Sequence, residues 1–249
     1  MINFDLRQKV ELKHFEKMAH SYDQNYQYDK PFTKYKISKK VDTFVKFIAG
    51  NQSLKLEILE LGCGTGEYSR EIAKRLGESQ IIALDISEKI IEVARKKCEK
   101  FKNIKFSVGS AYQLPFKDKS FDVVAGFYFL HHVDAAPVIK EIRRILRPEG
   151  KVFFIEPNIL NPLVFLIKSN KFLKKIAGDS LNEWGINPLS VTRYFKGFNF
   201  DISTTEFIWP LDFIPKNILI FMDKISQNFK IFPLFKYLGG SVEIHLKKK

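Results

Sequence analysis

Apolar runs alternate with amphipathic stretches between Leu56 and Ile155, and this alternation restricts the fold more than any other feature of the chain. The apolar runs cover residues 56–61, 81–85, 104–108, 121–125 and 151–155. They lack a regular polar alternation, which predicts strands that are buried on both faces. Helical spacing separates most of them. The pattern predicts an α/β fold with a doubly wound, mostly parallel sheet, helices on both faces and right-handed crossovers.

The pattern weakens beyond Pro157. Residues 198–207 predict a sixth strand, and residues 242–246 predict a short, antiparallel last strand. The segment 208–240 between them is rich in large apolar residues, and one helical face would carry Ile218, Phe221, Met222, Ile225 and Phe229. We therefore predict one domain over residues 1–249, in which residues 159–240 form a partly helical cap over the carboxyl edge of the sheet.

Composition and charge restrict the setting of the protein. The formal net charge is +13, which suits a nucleic acid or an anionic membrane as a partner, or only a soluble, lysine-rich surface. One lysine cluster has no acidic residues beside it in the sequence: Lys168, Lys171, Lys174 and Lys175. Two cysteines provide neither a disulfide framework nor a metal-binding spacing. With no apolar signal segment and no run near the ~20 residues of a membrane span, we expect a cytoplasmic protein.

A glycine-rich turn follows the first predicted strand. Gly62, Gly64 and Gly66 leave room for a ligand to approach the backbone, and N–H groups at the helix start can bind it. Asp85 ends the next predicted strand, where a carboxylate can bind ribose hydroxyls. A dinucleotide fingerprint would place its third glycine one residue later, where the chain has Glu67. The turn therefore predicts a site for a nucleoside without a pyrophosphate.

From about residue 15 to residue 157 the chain resembles a class I S-adenosylmethionine-dependent methyltransferase, of the small-molecule (methyltransferase type 11) group that includes the quinone methylases. The matching motifs are 60–66, Asp85, 109–116, 121–133 and 146–151. This resemblance implies a Rossmann-like sheet with S-adenosylmethionine as cofactor and S-adenosylhomocysteine as product. It also implies that residues 1–36 close over the cofactor.

The resemblance implies contacts on the methionine side of the cofactor. Gly62, Cys63, Gly64 and Gly66 would lie along the methionine moiety, with Glu60 near its amino group. On the nucleoside side, further contacts would come from Asp85 to the ribose, and from Ile86, Ser110 and Ala111 around the adenine. Ser110 stands where the family usually has aspartate.

Three aromatic residues complete the implied cofactor site. Phe127 and Tyr128 would lie near the sulfonium, whose positive charge an aromatic face attracts. Tyr22 would contact the cofactor from the N-terminal segment. The alternative for each is an ordinary packing role.

Methyl transfer from a sulfonium needs a general base only when the acceptor must lose a proton. His131 and His132 follow the fourth predicted strand, and Glu156 follows the fifth, so these three are the candidate catalytic residues. The alternatives are a structural histidine pair and a loop-capping acid. No metal site is predicted.

The sequence is compatible with several classes of methyl acceptor. Apolar residues beyond Pro157 favour a small, lipophilic acceptor such as a quinone or a lipid headgroup, with peripheral membrane contact near residues 163–175. Methylation of RNA or protein is an alternative, although residues 125–128 read Ala-Gly-Phe-Tyr and lack the Asn-Pro-Pro-Tyr tetrad of amide and adenine methylases. A third alternative is a non-catalytic module that binds the cofactor.

Overall fold

The structure, a computed structural model, describes residues 4–49, 55–180, 183–208, 214–228 and 235–249. Its helices are α1 (Phe4–Met18), α2 (Tyr22–Asn25), α3 (Pro31–Ala49), α4 (Glu67–Arg75), α5 (Glu88–Lys97), α6 (Ala135–Ile145), α7 (Pro162–Ser169), α8 (Lys171–Ala177) and α9 (Lys216–Ser226). Its strands are β1 (Glu57–Leu61), β2 (Gln80–Asp85), β3 (Ile104–Val108), β4 (Phe121–Phe127), β5 (Leu146–Pro157), β6 (Phe198–Thr205) and β7 (Ser241–Lys248).

Within the described ranges, seven strands form one sheet in the order β3-β2-β1-β4-β5-β7-β6. Strands β1 to β5 pair in parallel, and β7 runs antiparallel between β5 and β6. The predicted doubly wound, mostly parallel sheet with an antiparallel last strand is confirmed. Because β1 pairs with both β2 and β4, the strand order reverses there, and a crevice opens at the carboxyl ends of these strands.

The central strands are buried on both faces, as their apolar runs predict. Ile58 packs with α3 and α4 on one face, whereas its neighbour Leu59 packs with α6 on the other. Both side chains are fully buried, and burial of such a side chain contributes roughly 1.5–3 kcal/mol to folding. Because successive side chains of a strand point to opposite faces, the sheet lies between two hydrophobic cores.

Two boundaries differ from the sequence prediction. Strand β4 extends to Phe127, beyond its predicted end at residue 125, and β5 begins at Leu146, ahead of its predicted start at residue 151. The backbone is irregular there, because Glu149 has φ of +64° and the register between β4 and β5 shifts after Phe121. Ser87 caps α5, since its Oγ accepts from the N–H of Ile90.

The region 159–240 contains α7, α8, β6 and α9. Residues 209–213 and 229–234, including Phe229 of the predicted helical face, lie outside the described residues. On α9 the remaining apolar face points outward: Ile218, Phe221, Met222 and Ile225 are exposed. These four side chains therefore do not form a buried core, because α9 turns Leu219 and Asp223 inward instead. None of the described helices is both long and apolar enough to cross a bilayer.

Candidate active site

The glycine turn between β1 and α4 folds back onto the end of β2. The N–H groups of Gly62 and Cys63 both donate to the carbonyl oxygen of Leu84, at 2.8 and 3.1 Å. Gly62 and Gly64 have φ of +67° and +51°, in the left-handed region that favours glycine. A Cβ on Gly62 would lie 2.6 Å from Cδ2 of Phe129. The turn therefore needs glycine for both its conformation and its close packing.

Gly66 has a different environment within the same turn. A Cβ at this position would meet Sγ of Cys98 at 3.0 Å and the ring of Phe106 at 3.3 Å. The Cys63 side chain is also buried, in a cluster with Ala83 and Ile91. Both residues thus pack the turn against α5 and the sheet, and their side-chain positions face away from the crevice.

Asp85 ends β2 beside the glycine turn. Its Oδ2 accepts from the N–H of Gly64 at 3.1 Å, and its Oδ1 accepts from the N–H of Ser87 at 3.0 Å. Burial raises the pKa of Asp85, and these backbone bonds oppose that rise. Each carboxylate oxygen has two lone pairs, so Asp85 keeps acceptor capacity for a ligand.

A cleft opens where the carboxyl ends of four strands meet. Gly62 follows β1, Ile86 follows β2, Gly109 follows β3 and Tyr128 follows β4, and all four line the cleft. The opposite wall comes from α1 and the residues after it. The cleft encloses about 720 Å³, a volume that includes the open space at its mouth. Its other lining residues are Gln8, Glu11, Phe15, Tyr22, Leu84, Asp85, Ile90, Ala111, Tyr112, Phe129, His132 and Val133.

The two aromatic residues predicted beside the sulfonium are separated by the structure. The Phe127 ring stacks on Tyr68 with centroids 4.3 Å apart and planes 8° apart, inside the core beneath α3 and α4. Tyr128 lines the cleft with φ of +59°, and its hydroxyl donates to Glu206. The ammonium of Lys40 lies 5.0 Å from the centroid of the Tyr128 ring. The placement predicted for Phe127 is therefore wrong, because strand alternation turns its ring into the core.

Two further predicted cofactor residues are held by hydrogen bonds. The Glu60 carboxyl is buried and accepts from Oγ of Ser69, and burial raises the pKa of Glu60 to about 8. Ser110 Oγ accepts from Gln8 of α1 and from the N–H of Tyr112 at 3.1 Å. Ser110 thus connects the N-terminal helix to the loop after β3.

Glu156 holds the turn that follows β4. Its Oε1 accepts from the N–H groups of Phe129 and Leu130 at 3.1 and 2.7 Å, and its Oε2 lies 2.6 Å from Nδ1 of His131. The side chain is fully buried. Glu156 is one of the three candidate catalytic residues of the sequence, but its oxygens are engaged by this turn. Glu156 is a turn-stabilising residue in this structure.

His131 is enclosed between two carboxylates. Its Nε2 lies 3.1 Å from Oε1 of Glu183, opposite the contact of Nδ1 with Glu156. Burial lowers the pKa of His131, but the two carboxylates outweigh that effect and raise it to about 9. An imidazolium donates from both nitrogens and accepts no proton. His131 therefore does not fit the role of a general base.

His132, in contrast, lines the cleft. Its Nδ1 lies 3.0 Å from Oε2 of Glu11 in α1, and Oε1 of Glu11 accepts from Oγ of Ser180 at 2.7 Å. Burial would raise the pKa of Glu11, but the bonds from His132 and Ser180 lower it overall. A carboxylate at Nδ1 makes that nitrogen a donor, which leaves Nε2 as the acceptor in the neutral ring.

Sequence reasoning did not identify Glu11 as a site residue. Residues Gln8, Glu11 and Phe15 follow a spacing that places them on one face of a helix, and all three line the cleft. An acid between a glutamine and a phenylalanine on one helical face was the available signal. The partner 121 positions away was not readable from local pattern.

The lysine cluster predicted to lack acidic neighbours is partly buried and paired. Lys168 contacts Glu183 and lies 2.9 Å from Oδ2 of Asp179. The Lys174 ammonium lies 5.0 Å from the centroid of the Trp184 ring. His131, His132 and Glu183 also stand close enough to hold a metal ion, and Glu183 already contacts the ammonium of Lys168 and Nε2 of His131.

Comparison with known proteins agrees with this geometry. The family profile described as "Methyltransferase domain" matches residues 59–154. A demethylmenaquinone methyltransferase of Chlorobaculum parvum is 34% identical over 176 residues, which are 66% of this chain and 68% of that protein. The chain belongs to the S-adenosylmethionine-dependent methyltransferases. A demethylmenaquinone methyltransferase of Lactococcus lactis is 39% identical over 142 residues, and the chain covers 56% of its length.

Solved structures show the same fold. A methyltransferase of Thermotoga maritima, described as a possible histamine N-methyltransferase, aligns with a TM-score of 0.68 at 21% identity, over 96% of this chain and 99% of that one. The plantazolicin methyltransferase BpumL, solved with S-adenosylhomocysteine, aligns with a TM-score of 0.63 at 16% identity, over 99% of this chain and 96% of that one. At these identities the likeness concerns the fold.

The methyltransferase cofactor is S-adenosylmethionine, and the residues of the cleft fit it. Gly62 lines a wall in which a Cβ would collide with Phe129, so the backbone itself faces the ligand. Asp85 has free acceptor capacity for ribose hydroxyls beside Ile86 and Ala111, whose apolar side chains suit an adenine ring.

Proposed function

We propose that this methyltransferase transfers a methyl group to a small, lipophilic acceptor of the quinone type by in-line displacement. The relatives that support this class carry the name demethylmenaquinone methyltransferase. The observation on which the proposal mainly depends is the Glu11–His132 pair in a cleft whose walls include five phenylalanine and tyrosine rings. An aromatic acceptor would stack on such walls, and a histidine held by a carboxylate would handle its proton.

The cofactor supplies the electrophilic methyl group when it is bound. The chain orients it: Asp85 would hold the ribose, Glu60 would face the amino group, and Tyr22 would cover the methionine side. The closeness of Tyr22 to the glycine turn supports this role, because its hydroxyl would lie 2.9 Å from a Cβ on Gly64. Such positioning and the exclusion of water account for much of the catalysis of a displacement.

His132 is the proton acceptor in this proposal. Its Nε2 would take the proton of an acceptor hydroxyl or ring carbon as the new bond to the methyl group forms. Glu11 keeps Nδ1 protonated and stabilises the resulting imidazolium. Glu11 is ionised at neutral pH, because its pKa is lowered.

Two segments would close the site. Residues 1–36 would cover the cofactor, and α1 supports this because Arg7 donates to the carbonyl oxygen of His131 at 2.9 Å and pairs with Asp134 at 3.1 Å. Residues 159–240 would border the acceptor, and Glu183 supports this because it contacts His131 beside the cleft.

The test is a transfer assay with S-adenosylmethionine labelled in the methyl group. The acceptors are a reduced naphthoquinone that carries an isoprenoid chain, total RNA, and a protein extract, each with wild-type enzyme and with the His132→Gln variant. The proposal expects label in the quinone, and about a 100-fold lower rate with the variant. Label in RNA or protein alone, or in none of the three, would overturn the proposal.

A further inference from the structure

Helices α7 and α8 expose large apolar side chains. Phe165 is 53% exposed and Phe172 is 70% exposed, and the exposed set also includes Leu163, Leu166 and Ile176. Single exposed apolar residues are ordinary, but a group on two consecutive helices indicates an interaction surface. The ion pairs of Lys168 with Asp179 and Glu183 hold the Lys168 side of α7 toward the protein interior. The apolar side of the helix therefore faces outward.

Helix α9 also has apolar side chains that face outward and a charged side chain that faces inward. Ile218, Phe221, Met222 and Ile225 share one face and are exposed. Asp223 lies on the inward side, where it accepts from the hydroxyl of Tyr35 at 3.1 Å and pairs with Lys39 of α3. The helix is therefore anchored through its polar face, and its apolar face is the one presented outward.

The three helices belong to one edge of the sheet. Pro157 at the end of β5 pairs with Ser241, and Ser241 pairs with Thr205 at the end of β6. Helix α7 follows β5, and α9 lies in the chain between the end of β6 and the start of β7. The cleft also opens at the carboxyl ends of the parallel strands. The exposed apolar faces therefore emerge on the side of the molecule where the acceptor would enter.

The charge on these helices is of one sign. Helices α7 and α8 contain no acidic residue, and Asp223 of α9 is buried and paired. The exposed charged residues of the three helices are Lys171, Lys175, Lys216 and Lys224. Apolar side chains with lysines beside them are typical of elements that lie in the interface of an anionic bilayer.

We propose that α7, α8 and α9 form a docking surface for an anionic lipid bilayer, with the apolar side chains in the headgroup region and the lysines on its phosphates. None of the helices in the described ranges can span a bilayer, so the contact is interfacial. The purpose of this contact, access to a membrane-dissolved acceptor, rests on the proposed function. The contact itself rests on the exposed side chains and their charge.

The test is sedimentation of the full chain with vesicles of phosphatidylcholine alone or with phosphatidylglycerol, at low and high salt. The variants are Phe165→Ser with Phe172→Ser, and Lys171→Glu with Lys175→Glu. The matched controls are Phe200→Ser on β6, which is 52% exposed, and Lys100→Glu with Lys102→Glu, which precede β3 at the opposite edge. All of these side chains are exposed, so circular dichroism should show folded proteins.

The proposal expects salt-sensitive binding to the anionic vesicles only. The lysine pair of substitutions should weaken it at least about tenfold, since each lysine near an anionic surface contributes about fivefold. The phenylalanine pair should also weaken it, because less apolar area then enters the headgroup region. The controls should bind as the wild type does. Absence of binding to anionic vesicles, or an equal loss in the controls, would overturn it. A dimer that the Phe165 and Phe172 substitutions dissociate, without vesicle binding, would also overturn it and assign the surface to a second copy. Methyl transfer is not measured, so the proposed function is tested separately.

Discussion

The carboxylate of Glu11 lies 3.0 Å from Nδ1 of His132, and this contact joins the N-terminal helix of the methyltransferase to the turn after β4. The same helix brings Gln8 to Ser110, so α1 contacts the site through two polar side chains. Helix α1 therefore lines the cleft and also holds the ring of one cleft residue.

Substitution of either member of this pair should lower the rate of methyl transfer. We expect His132→Gln to reduce kcat by about 100-fold, because the proton acceptor is lost. Glu11→Gln should cause a smaller loss, because the amide still fills the position but no longer stabilises an imidazolium. Steady-state kinetics with a saturating acceptor measures both effects.

The matched control is Glu16→Gln, an acid of the same helix that lies 4.0 Å from Lys89 at the surface. It should leave kcat unchanged. Cofactor affinity, measured by calorimetry, should be similar in all three variants. If Glu11→Gln lowered cofactor affinity by the same factor as kcat, the residue would support the fold of the cleft and would not act through His132.

The glycine turn predicts a loss of cofactor binding in Gly62→Ala. A non-glycine residue at φ of +67° costs roughly 1–2 kcal/mol, and the new Cβ would lie 2.6 Å from Phe129. The turn must shift to relieve this contact, so we expect the dissociation constant of S-adenosylhomocysteine to rise at least about tenfold, equivalent to ~1.4 kcal/mol. Titration calorimetry measures it.

Gly77→Ala is the control for this substitution. A Cβ at Gly77 would meet no atom within 4 Å, so binding should be unchanged. If both alanine variants bind the cofactor like the wild type, the turn does not contact the cofactor as we propose.

The sheet, the glycine turn and the acid at the tip of β2 were predictable from sequence because each is specified by local pattern. A buried strand needs only its own apolar run, and the turn needs only its own glycines. Asp85 follows directly from the end of its strand. The cap was not predictable in the same way, because the outward face of α9 depends on the ion pair between Asp223 and Lys39 of α3.

The roles of Phe127 and Glu156 were mistaken for a related reason. Adjacent strand residues point to opposite faces, so Phe127 and Tyr128 do not both face the cleft unless the chain bends between them. Glu156 was predicted from its position after β5, but its oxygens are used by N–H groups 25 to 27 residues away. Such long-range hydrogen bonds leave no periodic trace in a sequence.

From the raised pKa of Glu60 we expect that cofactor binding releases a proton. Because burial raises its pKa to about 8, the carboxyl is largely protonated at pH 7. The ammonium of the bound methionine moiety would favour the charged carboxylate and lower that pKa. Calorimetry at pH 7 in phosphate and in Tris should show this proton release as a binding enthalpy that differs between the two buffers. The difference should disappear above pH 9, because Glu60 is then ionised before the cofactor binds.

The proton release should be absent in Glu60→Gln. It should be retained in Glu71→Gln, which changes an acid of α4 that pairs with Lys74. A buffer-independent enthalpy in the wild type would contradict the placement of Glu60 near the amino group.

His131 predicts a loss of stability at alkaline pH. Its folded-state pKa is raised from 6.5 to about 9, so its contribution is fully present below pH 6.5 and is lost as the pH rises through 9. The shift corresponds to roughly 3 kcal/mol in the free energy of unfolding.

Glu60 also has a raised pKa, and its contribution to stability is lost over an overlapping pH interval. Urea unfolding from pH 6 to pH 10 is therefore best measured in the Glu60→Gln background, where His131 is the main contributor. Adding Glu183→Gln removes one carboxylate from the imidazolium and should move the decline to lower pH. A stability that is flat across this interval in the Glu60→Gln background would show that His131 is neutral between its two acidic neighbours.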